Sequence, residues 1–231
     1  MSWHWEFLFD DPGGADPTYW QWLFSAWGWT LAVAGLAWCV ALVVGVAIGL
    51  VRTWRGDDKG WAAGLATAWV ELFRNIPLLV KVFLWYHVLP MLFPVFRHFS
   101  PFLLAVMAIG LFTSARIAEQ VRSGMGALAK GQRAAATALG LSTGQSFRYV
   151  LLPQVGRIMW PALTSEAMSI VKNSSVAFAV SVSELTLFAM QAQEETSRGI
   201  EVYLLVTGLY AFTAFMVYAL MTGIAAKAKW A

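Results

Sequence analysis

Gly131–Pro161, GQRAAATALGLSTGQSFRYVLLPQVGRIMWP, is a long polar, basic and helix-prone segment in a chain that is otherwise mostly apolar. The alanine-rich run Arg133–Leu139 predicts a short helix, because alanine loses no side-chain entropy on becoming helical. Gly140 stands where a helix commonly ends on a left-handed glycine. Ser142 precedes Gln145 by the spacing of a capping box, which starts a second helix. Phe147, Val150, Leu151 and Leu152 turn the segment apolar again, and Pro153 and Pro161 punctuate its return to the greasy part of the chain. The expected product is helix, tight turn, helix, lying on a basic face formed by Arg122, Lys130, Arg133, Arg148 and Arg157. A chain of long apolar spans has little reason to keep such a segment unless something outside the membrane grips it.

The rest of the composition supports that setting. Of 231 residues, 59% are hydrophobic and 13% charged, the latter about half of the ~25% usual in soluble domains. Cys39 is the single cysteine and lies in an apolar run, so no disulfide framework exists. The first residues are acidic (Glu6, Asp10, Asp11, Asp16), unlike the basic start of a cleavable signal peptide.

In chain order, residues 1–21 read as an external or interfacial segment. Trp3, Trp5, Trp20, Trp22, Trp27 and Trp29 read as aromatic anchors at headgroup depth. Residues 22–231 read as one transmembrane domain, with the polar loop at about 122–153. Trp29–Val51 is uncharged and long enough to cross about 30 Å of hydrocarbon; Gly45 and Gly49 have the spacing of a close helix contact. Trp61–Phe96 holds the second span, clearest over Ile76–Phe96, with an elbow expected at Pro77. Pro101–Gln120, Ile158–Ser183 and Val202–Ala226 complete five spans, with Glu184–Glu201 as an external loop. Arg52, Arg55, Lys59, Arg74, Arg122, Lys130, Arg133, Arg148, Arg157, Lys227 and Lys229 fall on one side, and Arg97 and Arg198 on the other. By the positive-inside rule the N-terminus is outside and the C-terminus cytoplasmic. The fold class is therefore all-α integral membrane.

The pattern AA-x-x-LG at Ala135–Gly140, followed by F-x-x-V-x-LP at Phe147–Pro153, resembles the coupling loop of permease subunits in ATP-binding-cassette importers. Glu71–Lys81 (ELFRNIPLLVK), Ser114–Arg122 (SARIAEQVR) and Val171–Ser175 (VKNSS) resemble further blocks of the polar amino acid branch, in order, from about Trp69 to Leu185. The combination is most similar to glutamate/aspartate importer permeases. Ala134 replaces the acidic residue that gives the loop motif its name, so the helix–turn–helix is expected without a salt bridge there. The resemblance implies a type I importer permease in the bacterial inner membrane, paired with a similar chain or with itself. It also implies two cytoplasmic ATPase subunits gripping the loop through Gln132, Ala135, Ala136, Leu139, Gly140, Leu141 and Ser142, and an extracytoplasmic binding protein that delivers an amino acid. ATP would be bound by the partner ATPase, with no cofactor on this chain.

Ionisable residues inside spans are costly and are candidates for function. Here they are Lys81, Arg116, Glu119 and Lys172, with Glu166 near the membrane entry. Arg116 and Glu119 share a helix face; a local ion pair and a transport role both stay open. Where the family tends to carry an aromatic residue stands Arg116, and where it tends to carry a glutamine stands Lys81. Both add positive charge, which suits a dicarboxylic substrate, and a guanidinium can grip a carboxylate bidentately. Arg116 is thus expected to receive the substrate side-chain carboxylate, with Glu119 orienting it or meeting the ammonium. Lys172-Asn173-Ser174-Ser175 predicts a loosened helix, either lining the pathway or bonding between packed helices. Ser165, Ser169 and Lys172 share one face.

His4, His87 and His98 have no metal spacing. There is no phosphate-binding G-x-x-x-x-G-K-[ST] loop, so the chain should neither bind nor hydrolyse ATP. No nucleophile–histidine–acid set emerges, so it is not read as an enzyme. The rivals are importers of glutamine, histidine or arginine, and a carrier or channel working without ATP.

Overall fold

A computed structural model describes residues 4–14, 16–53, 60–128 and 131–228. The inner-side cations Arg55, Lys59, Lys130 and Lys229, and the aromatic Trp3, lie outside these residues. Among the described residues there are helices and turns and no strand.

The α-helices in chain order are α1 (Tyr19–Thr53), α2 (Trp61–Asn75), α3 (Leu78–Phe83), α4 (Leu89–Leu92), α5 (Pro101–Gly126), α6 (Gln132–Ala138), α7 (Thr143–Ser146), α8 (Leu152–Asn173), α9 (Leu185–Thr196) and α10 (Gly199–Lys227). α1, α5 and α10 are each long and apolar enough to cross a membrane. Two interrupted runs, Trp61–Asn75 with Leu78–Leu92 and Thr143–Val180 with Leu185–Thr196, bring the number to five if each counts as one span.

Several expected boundaries move. α1 starts at Tyr19, ahead of Trp29, because nothing from Tyr19 onward breaks a helix until Thr53. The elbow falls where Pro77 demands it: α2 stops at Asn75, and Pro77 (φ −57°, ψ 144°) is the extended residue before α3. Between α3 and α4 the helix widens into a π-turn at Leu84–Val88. Such a turn absorbs the donor and space lost to Pro90. Pro153 and Pro161 do not end helices; both lie within α8. Val155, Met159, Leu163 and Ala167 recur every fourth residue and are buried. That apolar stripe outweighs the hydrogen bond lost at Pro161, where a proline in an isolated helix would cost about 3 kcal/mol.

The chain packs into two compact units. One draws on segments within 1–39, 76–110 and 168–216, the other on 40–75, 111–167 and 217–231. In the first, Phe7, Leu8, Tyr19, Leu23 and Ala26 share a core with Leu185, Phe188, Ala189, Ala192, Val202 and Val206. Two corrections follow. Residues 1–21 are more than a surface anchor, since Phe7 and Tyr19 are core residues. Trp22 packs edge-on to Phe188, with ring centroids 5.0 Å apart, and Trp27 Nε1 donates to Thr213 Oγ1 at 2.8 Å. Both indoles are half-buried against this core, and the N–H of Trp27 is satisfied within the protein.

The second correction is the external loop Glu184–Glu201, most of which is α9. Glu184, fully buried, starts that helix by accepting from Thr186 N (2.9 Å) and Leu187 N (3.1 Å), and Tyr210 Oη donates to its other oxygen. A side-chain oxygen at the N-cap satisfies donors that the helix itself cannot, and Leu185, Phe188, Ala189 and Ala192 give α9 a buried face.

In the second unit, α1 meets α5 through the expected glycine pair. A Cβ on Gly45 would stand 2.7 Å from Ile117 Cβ, and one on Gly49 would stand 2.5 Å from Val121 Cβ. Only hydrogen fits at these contacts.

Candidate functional site

The polar segment folds as its residues dictate. α6 ends into Gly140, whose φ is +79°. Gly140 N reaches Thr137 O at 2.9 Å and Leu141 N reaches Ala136 O at 3.1 Å, the closing pattern of a glycine-terminated helix. The capping box is complete: Ser142 N donates to Gln145 Oε1 (2.8 Å) and Gln145 N to Ser142 Oγ (3.3 Å). α7 then runs through a π-turn at Phe147–Leu151 into α8. Arg133 ties this hairpin to its own unit, donating to Thr53 O at 3.3 Å and lying over the Phe147 ring at 5.0 Å.

Of the coupling residues expected from sequence, Leu139 is 81% exposed at the tip. Ala135, Gly140 and Ser142 are also exposed, and Gln132 and Leu141 are half-buried. Ala136 is buried, so it shapes the hairpin from within and presents no surface.

The charged residues of α5 part company. Arg116 and Glu119 share a face but do not pair. Arg116 Nε donates to Oε1 of Glu166 on α8 at 3.0 Å, and Nη2 lies 2.9 Å from the same oxygen. Glu119 instead accepts from Arg52 Nη1 at 2.8 Å and from Arg122. The expectation that Glu119 orients Arg116 is therefore corrected: Glu166 does so. The sequence groups Arg52 with the inner-side cations. Arg52 sits in the last turn of α1, its side chain 8% exposed, and its Nε is buried without a hydrogen-bond partner. Its position directly after an apolar helical run was the available signal.

Arg74, Phe112, Arg116, Glu119, Gln120 and Glu166 line a cleft of about 350 Å³. The Arg116 side chain is 42% exposed and Glu166 only 6%. The guanidinium also stands 6.0 Å from the Phe112 ring centre. Arg74 forms no hydrogen bond or ion pair among the described residues and is exposed. A cleft with two guanidinium groups, one anchored from behind and one untethered, can take a small anion bearing more than one carboxylate.

Lys81, Ser169, Lys172 and Asn173 belong to the other unit. Lys81 is buried in α3, and α3 packs against the 3₁₀ segment Ser174–Val180. The helix loosens where expected: α8 stops at Asn173, and Ser174 and Ser175 turn their hydroxyls back to the carbonyls of Val171 and Lys172, each at 2.7 Å. Lys172 is exposed; Ser169 and Asn173 are half-buried. No group of His, Cys, Asp and Glu able to hold a metal occurs among the described residues.

Residues 41–229 match the family of binding-protein-dependent transport system inner membrane components. The chain is 34% identical over 239 residues, covering 99% of itself and 96% of the relative, to the glutamate/aspartate import permease protein GltJ of Escherichia coli K12. It is 35% identical over 181 residues, 78% of itself and 80% of the relative, to the glutamine transport system permease protein GlnP of the same organism. A solved structure described as an amino acid ABC transporter with histidines superposes with a TM-score of 0.79 at 28% identity, over 90% of this chain and 95% of that one. The chain belongs to the family of inner membrane components of binding-protein-dependent transport systems, and its helices make the type I importer permease fold.

Proposed function

We propose that this permease admits acidic amino acids, glutamate and aspartate, through the inner membrane, driven by ATP hydrolysed in partner subunits. The observation that carries the substrate class is Arg116. A half-exposed guanidinium stands in a cleft beside Arg74, deep in a chain where charge is costly. A second negative charge on the substrate must be paired when it leaves water, and an arginine fork suits that task. The resemblance to the glutamate/aspartate permease supports the same reading.

The partners follow from the family. A second permease, similar or identical, completes the pathway. ATPase subunits seat on the α6–α7 hairpin, where exposed Leu139 and Ser142 flank the Gly140 turn. A binding protein delivers substrate to the outer face, where the N-terminus lies. Arg52, Arg74, Arg122, Arg133, Arg148, Arg157 and Lys227 mark the cytoplasmic side, the C-terminus included. Residues 22–231 act as the permease domain, with the segment before them packed into its first unit through Phe7, Leu8 and Tyr19, and with Lys81, Ser169, Lys172 and Asn173 serving the pathway in that unit.

The test is ATP-dependent uptake by the assembled complex in proteoliposomes, offered labelled glutamate, glutamine and arginine. Glutamate should be preferred, and uptake should stop without the ATPase. The likeness to a glutamine permease supplies the second reading; glutamine preference would favour it and return Arg116 to a structural pair.

A further inference from the structure

Glu166 is buried, yet it satisfies its partner with one oxygen only. Arg116 Nε and Nη2 both converge on Oε1, and Oε2 accepts no hydrogen bond among the described residues. An arginine–carboxylate pair is frequently bidentate, with one oxygen on each N–H of the fork, and this pair is not. Here half of each partner is left over: Nη1 of Arg116 and Oε2 of Glu166, at a cleft of about 350 Å³ that both residues line.

We infer that Glu166 is a specificity-determining residue, the resident counterion of Arg116 that hands it to the substrate carboxylate and takes the substrate ammonium in exchange. This rests on the reading of the cleft as the substrate's. An amino acid carries its own carboxylate and ammonium, so it can enter an arginine–carboxylate pair as a matched second pair. With Arg74, which lines the same cleft, taking the second carboxylate of an acidic amino acid, every charge keeps a partner and no bare charge is left buried. A dicarboxylic acid without an amino group cannot do this: it would take Arg116 and leave the Glu166 carboxylate buried and unpaired. Glu166 therefore selects for the α-amino group, and Arg116 for the carboxylate. Phe112, whose ring centre lies 6.0 Å from the guanidinium, walls the exchange on one side.

The experiment measures equilibrium binding of labelled glutamate to the assembled permease and ATPase subunits in lipid nanodiscs, with no binding protein present, competed by unlabelled glutamate and by glutarate, its analogue lacking the amino group. Wild type should prefer glutamate to glutarate by more than tenfold. Glu166→Gln, which keeps an acceptor for Arg116 but removes the charge, should shrink that ratio at least fivefold, chiefly by improving glutarate. The double variant Arg116→Gln/Glu166→Gln, which leaves no buried charge, should bind neither compound. An unchanged ratio in Glu166→Gln, undiminished binding in the double variant, or no direct binding by wild type would each overturn the inference. If wild type prefers another amino acid, the acidic-substrate reading fails by itself. The Glu166 ratio is then taken with that amino acid and its analogue lacking the amino group.

Discussion

Two carboxylates in the second unit, Glu119 and Glu166, face the same cleft and do opposite things. Glu119 is surrounded: Arg52 approaches from α1 and Arg122 from its own helix. That carboxylate staples helix ends together and has little capacity left. Glu166 is buried but half-engaged, and its partner Arg116 faces the cleft. Two pairs of the same chemical type thus differ in which member is hidden. Where the cation is buried, as with Arg52, the pair is structural. Under the inference above, a pair whose anion is buried and whose cation is offered to a cavity is arranged to be opened. Mutations that separate stability from transport test this contrast.

The largest effect is expected from Glu119→Ala. It strands the Arg52 guanidinium, already lacking a partner at Nε, as an uncompensated charge. Breaking such a pair by removing one member costs about 3–5 kcal/mol, enough to empty the membrane of folded permease. The yield and thermal unfolding of the purified complex measure it. A variant that folds as well as wild type would mean that Arg52 is not held by Glu119, and the distinction between the two pairs would collapse.

Much of this arrangement was legible in the sequence, for physical reasons. The α6–α7 hairpin was readable because its instructions are local: a left-handed glycine at Gly140 and the reciprocal bonds of Ser142 and Gln145 act within a few residues. The Pro77 elbow and the loosened Lys172–Ser175 helix were legible on the same ground. The partner of Arg116 was not. Helical spacing places Glu119 on its face, but the rotamers send the two side chains to different helices, and Glu166 lies fifty residues away in sequence. The inward turn of Trp22 and Trp27 was hidden likewise, because an indole reads the same at a lipid interface and in a core. α9 reads as loop in the sequence because its apolar face pairs with residues of α1 and α10, and its cap is a glutamate in place of the usual serine or aspartate.

An intermediate effect is expected from exchanging the partners, Arg116→Glu with Glu166→Arg. If the pair were only structural, the swap would restore it, with stability within about 1 kcal/mol of wild type and transport intact. In our reading the swap also places a carboxylate on the cleft side. Uptake of glutamate should then fall by at least tenfold while unfolding changes little. Thermal unfolding and uptake, measured on one preparation, separate the two. Unimpaired glutamate uptake by the swapped protein would count decisively against the cleft as the substrate's path.

The smallest effect sharpens the contrast most, because it involves no pair. Arg74 stands at the end of α2 and makes no hydrogen bond or ion pair among the described residues, yet it lines the cleft with Arg116. Replacing an exposed, untethered side chain usually moves stability by no more than about 0.5 kcal/mol. Arg74→Gln should therefore leave unfolding unchanged. If Arg74 supplies the second charge for a dicarboxylic substrate, glutamate affinity should drop by several-fold, the scale of about 1 kcal/mol for a charge pair that water still reaches, and the loss should deepen at low salt where wild-type attraction is strongest. Glutamine, with one carboxylate fewer, should lose less. An equal loss for both amino acids would assign Arg74 to the α-carboxylate that all amino acids share, and leave Arg116 alone with the acidic side chain.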